Sequence, residues 1–242
     1  MNIKRIDGFK ELFYEMDGGQ ILDVACGEGQ FIDVMQTALR SWEHITGLDV
    51  NEEILKLASR KFQGSVFSFI HGSSQDIPFP DCRFDLVTLS KGLHHVENPY
   101  IALEEMKRVL KKGGHLVVSE MYSDGLTASQ MSQKMYHDLR VELDNILGVS
   151  HFNTFEKKAI VKIAERLNLS GMKIYEYPED QSDPMNAARI KDHSEKLDSW
   201  LIQIANHEKY DYFYSRIREL KERFRKVGFT RPPQLVIVGR KD

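Results

Sequence analysis

The sequence predicts an α/β fold built on a doubly wound, mostly parallel sheet. Two observations carry that prediction. From residue 20 to about 120, short apolar runs alternate with helical patterns, and the runs are continuously apolar rather than alternating in polarity. Strands apolar on both sides lie in a sheet covered on both faces, and helices between them are how parallel strands are joined.

Taken in order, residues 21–25 read as a strand, 28–40 as a helix, 44–49 as a strand and 52–62 as a helix. Further strands are expected at 66–71, 84–90 and 115–121. Before the last of these, Ile101, Leu103, Met106, Val109 and Leu110 give residues 99–111 a helical periodicity that should stop at Gly113-Gly114. After residue 121 the rhythm changes. Helices are expected at 126–147 and 154–168, the second capped by Asn153 with Glu156 three residues on, as in a capping box. Strands at 172–177 and 234–238 complete the pattern. Between them Tyr210, Phe213, Ile217, Leu220, Phe224 and Val227 form one apolar stripe on a helix closed by Gly228. That stripe is expected to pack on its own domain, to form a dimer interface, or to act as a lid.

The 242 residues, 41% hydrophobic and 29% charged, describe an ordinary soluble globular chain. At this size folding buries roughly 70% of the unfolded surface, so one core needs no staple. Lys and Arg total 33 against 36 Asp and Glu, a net charge of −3 with no general pull toward nucleic acid or anionic lipid. Cys26 and Cys82 form no CxxC or zinc-spaced cluster and read as reduced thiols. The charged stretch MNIKRIDGFKELFYEMDGG lacks the apolar segment of a signal peptide, and no 18-residue apolar run occurs, so a cytoplasmic protein without a membrane span is expected.

The most informative stretch is ILDVACGEGQF, residues 21–31, where an apolar strand runs through small residues into a helix. Gly27 and Gly29 allow backbone conformations closed to other residues and let a ligand approach the main chain. A dinucleotide fingerprint would need glycines at 25, 27 and 30, where Ala25, Gly27 and Gln30 stand. Asp23 also suits a cationic ligand better than a phosphate. About 20 residues on, GLDV ends the second strand with Asp49, beside the first turn in a doubly wound sheet. Asp49 there either accepts hydrogen bonds from ribose hydroxyls or caps the following helix, and Val50 is placed to pack against a base.

These residues resemble class I S-adenosylmethionine-dependent methyltransferases, in particular the ubiquinone and menaquinone biosynthesis branch. The resemblance rests on ILDVACGEGQF, GLDV, HGSSQDIPFPDCRFDLVTLSKGLHHVENP and LEEMKRVLKKGGHLVVSE in that order, across residues 18–121. It implies a Rossmann-like sheet of seven strands with the last antiparallel, a cofactor-binding core at 18–121, and helical insertions at 122–153 and 179–232 of a single domain, 1–242. It further implies S-adenosylmethionine as cofactor and S-adenosylhomocysteine as product.

By that resemblance Asp23, Ala25, Gly27 and Gly29 surround the methionine part of the cofactor. Asp49 binds the ribose, Val50 the adenine, and Ser73, Ser74 and Gln75 border the adenine edge. Ser90 and Lys91 face the sulfonium side. The family commonly has Gly at the position of Ala25, a change tolerated if the backbone there avoids positive φ, and Asp at that of Ser73, which is a weaker acceptor; Asp76 is a substitute if the loop is shifted and otherwise a surface-loop acid. His94 and His95 are candidates to act on the acceptor or to anchor their loop. Tyr122, Tyr136, His137 and His151 are candidates to contact it.

Methyl transfer from a sulfonium is an in-line displacement, so holding the acceptor on the methyl axis is the main task, worth roughly 7–11 kcal/mol. No cluster of oxygen ligands for a magnesium ion is recognisable, and no metal is expected. Ser90-Lys91-Gly92-Leu93 stands where nucleobase and glutamine methylating enzymes carry Asn or Asp with Pro-Pro-aromatic, and neither cysteine is placed as a C5 nucleophile. The leading expectation is therefore methylation of a small molecule at oxygen, carbon or nitrogen by a monomer or homodimer. The alternatives are an RNA methyltransferase using Arg216, Arg218, Lys221, Arg223, Arg225, Lys226 and Arg231, a run interrupted by Glu219 and Glu222, and a non-catalytic cofactor-binding module.

Overall fold

The structure, a computed structural model, describes residues 3–149, 151–178 and 180–242. The chain divides into two compact units, Met1–Tyr122 with Thr154–Tyr177 and Gln234–Asp242, and Ser123–Asn153 with Pro178–Pro233. Elements are numbered along the chain.

The first unit holds eight strands: β1 (Ile3–Arg5), β2 (Gln20–Val24), β3 (His44–Asp49), β4 (Phe67–His71), β5 (Phe84–Ser90), β6 (Leu110–Met121), β7 (Ser170–Tyr177) and β8 (Gln234–Arg240). They lie in the order β1-β7-β8-β6-β5-β2-β3-β4. Pairings among β2, β3, β4, β5 and β6 are parallel, while β8 runs antiparallel to β6 and β7. The expected mostly parallel sheet is present with eight strands instead of seven. The addition is the edge strand β1, which pairs in parallel with β7 through Ile3, Lys4 and Arg5, all exposed. Three exposed residues carry no periodicity, so nothing in the sequence marks them as a strand.

The helices of this unit are α1 (Lys10–Phe13), α2 (Gln30–Ala38), α3 (Glu52–Lys61), α4 (Pro99–Val109) and α6 (Lys157–Arg166). Helix α2 buries Phe31, Ile32, Met35 and Ala38, and the rings of Phe9 and Phe13 lie over Phe31 at centroid distances of 5.0 and 6.3 Å. With Ile21, Ile45, Leu86 and Val117 from the sheet they form the core. Each such side chain contributes roughly 1.5–3 kcal/mol by leaving water.

Three boundaries differ from expectation for identifiable reasons. Helix α2 starts at Gln30 because its N-cap, Gly29, is left-handed at φ 81. Helix α4 ends at Val109, not at the glycines, because Leu110 already pairs with Phe84 and the KKGG stretch is drawn into β6 through a register shift. Helix α6 starts at Lys157 with Glu156 as N-cap and no side-chain cap bond, so Asn153 caps nothing. The capping box lies instead at Thr127 and Gln130, where each side chain bonds the other's backbone amide.

That box opens the second unit, which contains α5 (Ala128–Ile146), α7 (Ala187–Gln203) and α8 (Tyr210–Val227). Phe213, Ile217, Leu220 and Phe224 of the stripe are buried, while Tyr210 and Val227 at its ends are half-buried. They pack with Leu139 and Leu143 of α5 and Leu197 and Trp200 of α7. The stripe is thus consumed within its own unit.

Candidate functional site

In the first unit the strand order reverses at β2, which has β3 on one side and β5 on the other. In open α/β sheets the crevice at the carboxyl ends of such strands is where ligands bind. The carboxyl ends of β2, β3, β4 and β5 and the loops after them carry Asp23 through Gly29, Asp49 and Val50, Ser73 through Gln75, and Ser90 through His95.

The turn after β2 is held by specific bonds. The Cys26 amide donates to the Leu48 carbonyl at 3.0 Å, the Gly29 amide to the Cys26 carbonyl at 2.9 Å, and the Gly27 amide to Asp49 Oδ2 at 2.9 Å. Asp49 Oδ1 accepts from the Asn51 amide at 3.0 Å. The cap of α3 is Asn51, whose side chain accepts from Glu53 and Ile54, so the capping alternative for Asp49 is set aside. A carboxylate offers about four acceptor positions; these two amides leave room for two hydroxyl donors. Val50, beside it, is 66% exposed.

The two glycines differ in what they are for. A Cβ on Gly29 would come within 2.3 Å of the Phe62 ring, so this glycine is required by packing. A Cβ on Gly27, at φ +54, would meet only Gln30 Oε1 at 3.6 Å, leaving open space over the main chain. Ala25 sits at φ 53, in the left-handed region, so the condition under which Ala is tolerated in place of Gly is not met. Lys91, after the neighbouring strand β5, has φ 53 as well. Strain of this kind clusters where a ligand is held.

Asp23 is 1% exposed. Thr88 donates to its Oδ1 at 2.6 Å, and its buried Oδ2 has no hydrogen-bond partner among the described residues. Burial pushes the carboxyl up to about 7; the Thr88 bond opposes this and the nearby Asp49 charge adds to it. Such a group is completed by a cationic or donor ligand. Burial, reinforced by the two acids, drives the Cys26 thiol far up, so it is no nucleophile.

After β4, Ser73 Oγ accepts from the Gln75 amide at 3.1 Å and the Ser73 carbonyl from the Asp76 amide at 3.3 Å, closing a tight turn with Asp76 exposed. Residues 77–81 that follow are fastened by a pair the sequence did not single out. Glu105 accepts from the Ile77 amide, while Arg108 donates to the Ile77 and Phe79 carbonyls and to Asp81. A Glu and an Arg three apart on a helix look like a surface pair until the loop is seen.

After β5, Lys91 donates its amide to the Ser119 carbonyl at 2.7 Å. His94 is 3% exposed with Nδ1 2.9 Å from Oε1 of Glu120, itself fully buried. Glu120 Oε2 also accepts from the Leu93 amide at 2.8 Å, so this acid anchors the short 3-10 turn Leu93–His95. His95 is exposed, its ring 4.3 Å from that of His94. Tyr122 is buried; its hydroxyl donates to Glu176, which Lys157 also holds at 2.8 Å, with that ammonium 4.3 Å from the Tyr122 ring. The Lys157 and Tyr122 bonds hold the Glu176 carboxyl below its ordinary range.

In the second unit, Tyr136 stacks among Trp200, His193 and Phe229, and burial pushes its phenol up to about 12. His137 and His151 face each other, Nε2 to Nε2, at 3.1 Å. Of the basic run, Arg216 donates to Tyr212, Lys221 to Asp198, and Arg223 to Ser132 and the Ala128 carbonyl.

Residues 22–118 match the family described as a methyltransferase domain. By that match, this stretch is similar to methyltransferase domains. The chain is 33% identical over 120 residues to a demethylmenaquinone methyltransferase of Staphylococcus haemolyticus, a match covering 49% of this chain and 50% of that protein. It thus spans about half the length of the curated relatives it matches. Among solved structures, the YcgJ protein from Bacillus subtilis is similar over 97% of this chain and 96% of its own, with a TM-score of 0.62 at 17% identity. An S-adenosylmethionine dependent methyltransferase from Mesorhizobium loti is similar over 96% and 95%, with a TM-score of 0.57 at 18% identity. At those identities the structures establish the fold alone. No helix among the described residues is long and apolar enough to cross a membrane.

Proposed function

We propose that the protein is an S-adenosylmethionine-dependent methyltransferase acting on a small molecule of the quinone class. The observation that carries the reading is the Asp23–Asp49 arrangement. It combines a buried carboxylate oxygen lacking a partner with a second carboxylate that has spare acceptor positions, beside a glycine turn with open space above it. This suits a ligand with a positive charge at one end and a ribose at the other. The quinone class is taken from the named activity of the relatives.

In this reading Asp49 receives the ribose hydroxyls while holding the Gly27 amide, and Asp23 balances the cationic methionine portion. Val50 with Ser73, Ser74 and Gln75 borders the base, and Ser90 and Lys91 lie on the sulfonium side. The bound cofactor supplies an electrophilic methyl with a good leaving group. The chain's own work is to hold the acceptor in line, remove its proton and exclude water. His94, committed to Glu120, positions the loop, and exposed His95 meets the acceptor. Tyr122 and Tyr136 are assigned framework roles by their bonds and packing. The internal partners of Arg216, Lys221 and Arg223 support a small-molecule acceptor over RNA.

Incubating the protein with S-adenosylmethionine and a demethylated quinol should give a methylated product, with turnover reduced at least about tenfold in His95→Ala at unchanged melting temperature. Cofactor binding without turnover on quinols, phenols or amines would leave only the binding half of the proposal.

A further inference from the structure

We propose that His137 and His151 form a binding site for a divalent first-row metal ion, zinc foremost. His137 projects from α5 and His151 from the loop that follows it, and they are 9% and 5% exposed. Their Nε2 atoms stand 3.1 Å apart with ring planes at 87°. Two imidazoles bound to one ion at 2.0–2.1 Å have nitrogens about 2.9–3.4 Å apart, between right-angled and tetrahedral coordination. The observed separation falls in that range.

The surroundings are those a metal-bound imidazole needs. Nδ1 of His151 lies 2.8 Å from Asp144 Oδ2, which directs the Nδ1 hydrogen to the carboxylate and the Nε2 lone pair toward His137. A carboxylate behind the imidazole fixes its tautomer and raises its basicity as a ligand. Asp144 is 5% exposed and kept in place by Arg140, whose Nε donates to the same oxygen at 2.9 Å. The backbone is fixed too. Asn145 donates to the His151 carbonyl at 3.0 Å, and the Val149 amide to the Asp144 carbonyl at 2.8 Å. The His151 ring and its loop are therefore held before any ion arrives. Imidazole selects zinc, copper, nickel or cobalt over magnesium and calcium. The histidines stand fourteen positions apart, a spacing that no metal motif flags. The bound ion would staple the loop to α5.

The alternative is a plain N–H···N bond between the rings, and the test separates the two. Untagged full-length protein, freed of metal by a chelator, is titrated with Co²⁺ and followed by its visible absorption. Competition with Zn²⁺ and histidine ¹⁵N spectra follow on the same sample. The expected result is about one ion per chain, affinity at least about 100-fold lower in the His137→Ala/His151→Ala variant and about 10–100-fold lower in Asp144→Asn. The ¹⁵N signals of the two histidines should shift with Zn²⁺. Absence of stoichiometric binding, or binding undiminished in the double variant, overturns the proposal. If that variant does not fold, His151→Gln and the wild-type spectra decide. Histidine signals indifferent to Zn²⁺ then overturn it, leaving the hydrogen bond. The readout is independent of methyl transfer.

Discussion

At the scale of single residues, Asp23 and Ala25 show how far a motif can be read. That an acid opens the glycine turn is plain in the sequence. Its burial beside Asp49, and the resulting rise of its carboxyl to about 7, depend on strands brought together from residues 23, 49 and 88. Because its folded value lies above the unfolded 3.8, the folded state holds the proton more tightly. This group's contribution to stability is therefore largest below about pH 4 and is lost as pH rises through about 7. Without cofactor, Asp23→Asn should gain in denaturation midpoint over the wild type between pH 5 and pH 8. Cofactor affinity should rise with pH across that window in the wild type and stay flat in the variant. Ala25 is the converse case. Its side chain is legible, its φ of 53 is not, and relieving that conformation in Ala25→Gly should stabilise the fold by about 1 kcal/mol, measured by urea unfolding.

At the scale of elements, β3 and β5 were legible because each is a continuous apolar run, and α4 because its apolar residues recur at helical spacing. The ends of α2 and α4 were not. They are set by a left-handed Gly29 and by the pairing of Leu110 with Phe84, both tertiary events. The role of Gly29 belongs here, since its missing Cβ is what lets the start of α2 close on Phe62 from the end of α3. Gly29→Ala should lower unfolding free energy by about 1–3 kcal/mol, with the excess over a simple φ penalty removed by Phe62→Leu. The same approach applies to the loop 77–81. Arg108→Ala deprives two carbonyls and Asp81 of their donor and should raise amide exchange across that loop before it affects global stability.

At the scale of the whole molecule, the turns at the carboxyl ends of the strands were legible in the sequence, while the segment after β6 carried no comparable motif. Four motifs in one order place every loop after β2, β3, β4 and β5, because strand order and spacing constrain one another in a parallel sheet. The candidate contact residues Tyr122, Tyr136, His137 and His151 were chosen only for lying after β6. Tyr122 turns out to serve Glu176, and Tyr136 an aromatic core, roles set by partners more than 50 residues away. The second unit has its own core on α5, α7 and α8, and truncating its centre in Phe224→Ala should cost about 3–5 kcal/mol in that unit. The central claim, that the turn after β2 and the acid ending β3 together bind S-adenosylmethionine, is tested most directly by calorimetric titration with S-adenosylmethionine and S-adenosylhomocysteine on wild type and Asp49→Ala. The account predicts saturable binding to the wild type, near −8 kcal/mol if micromolar, and a loss of about 1.5–3 kcal/mol or more in the variant. Absence of binding to folded wild type, or equal binding by the two proteins, would contradict it.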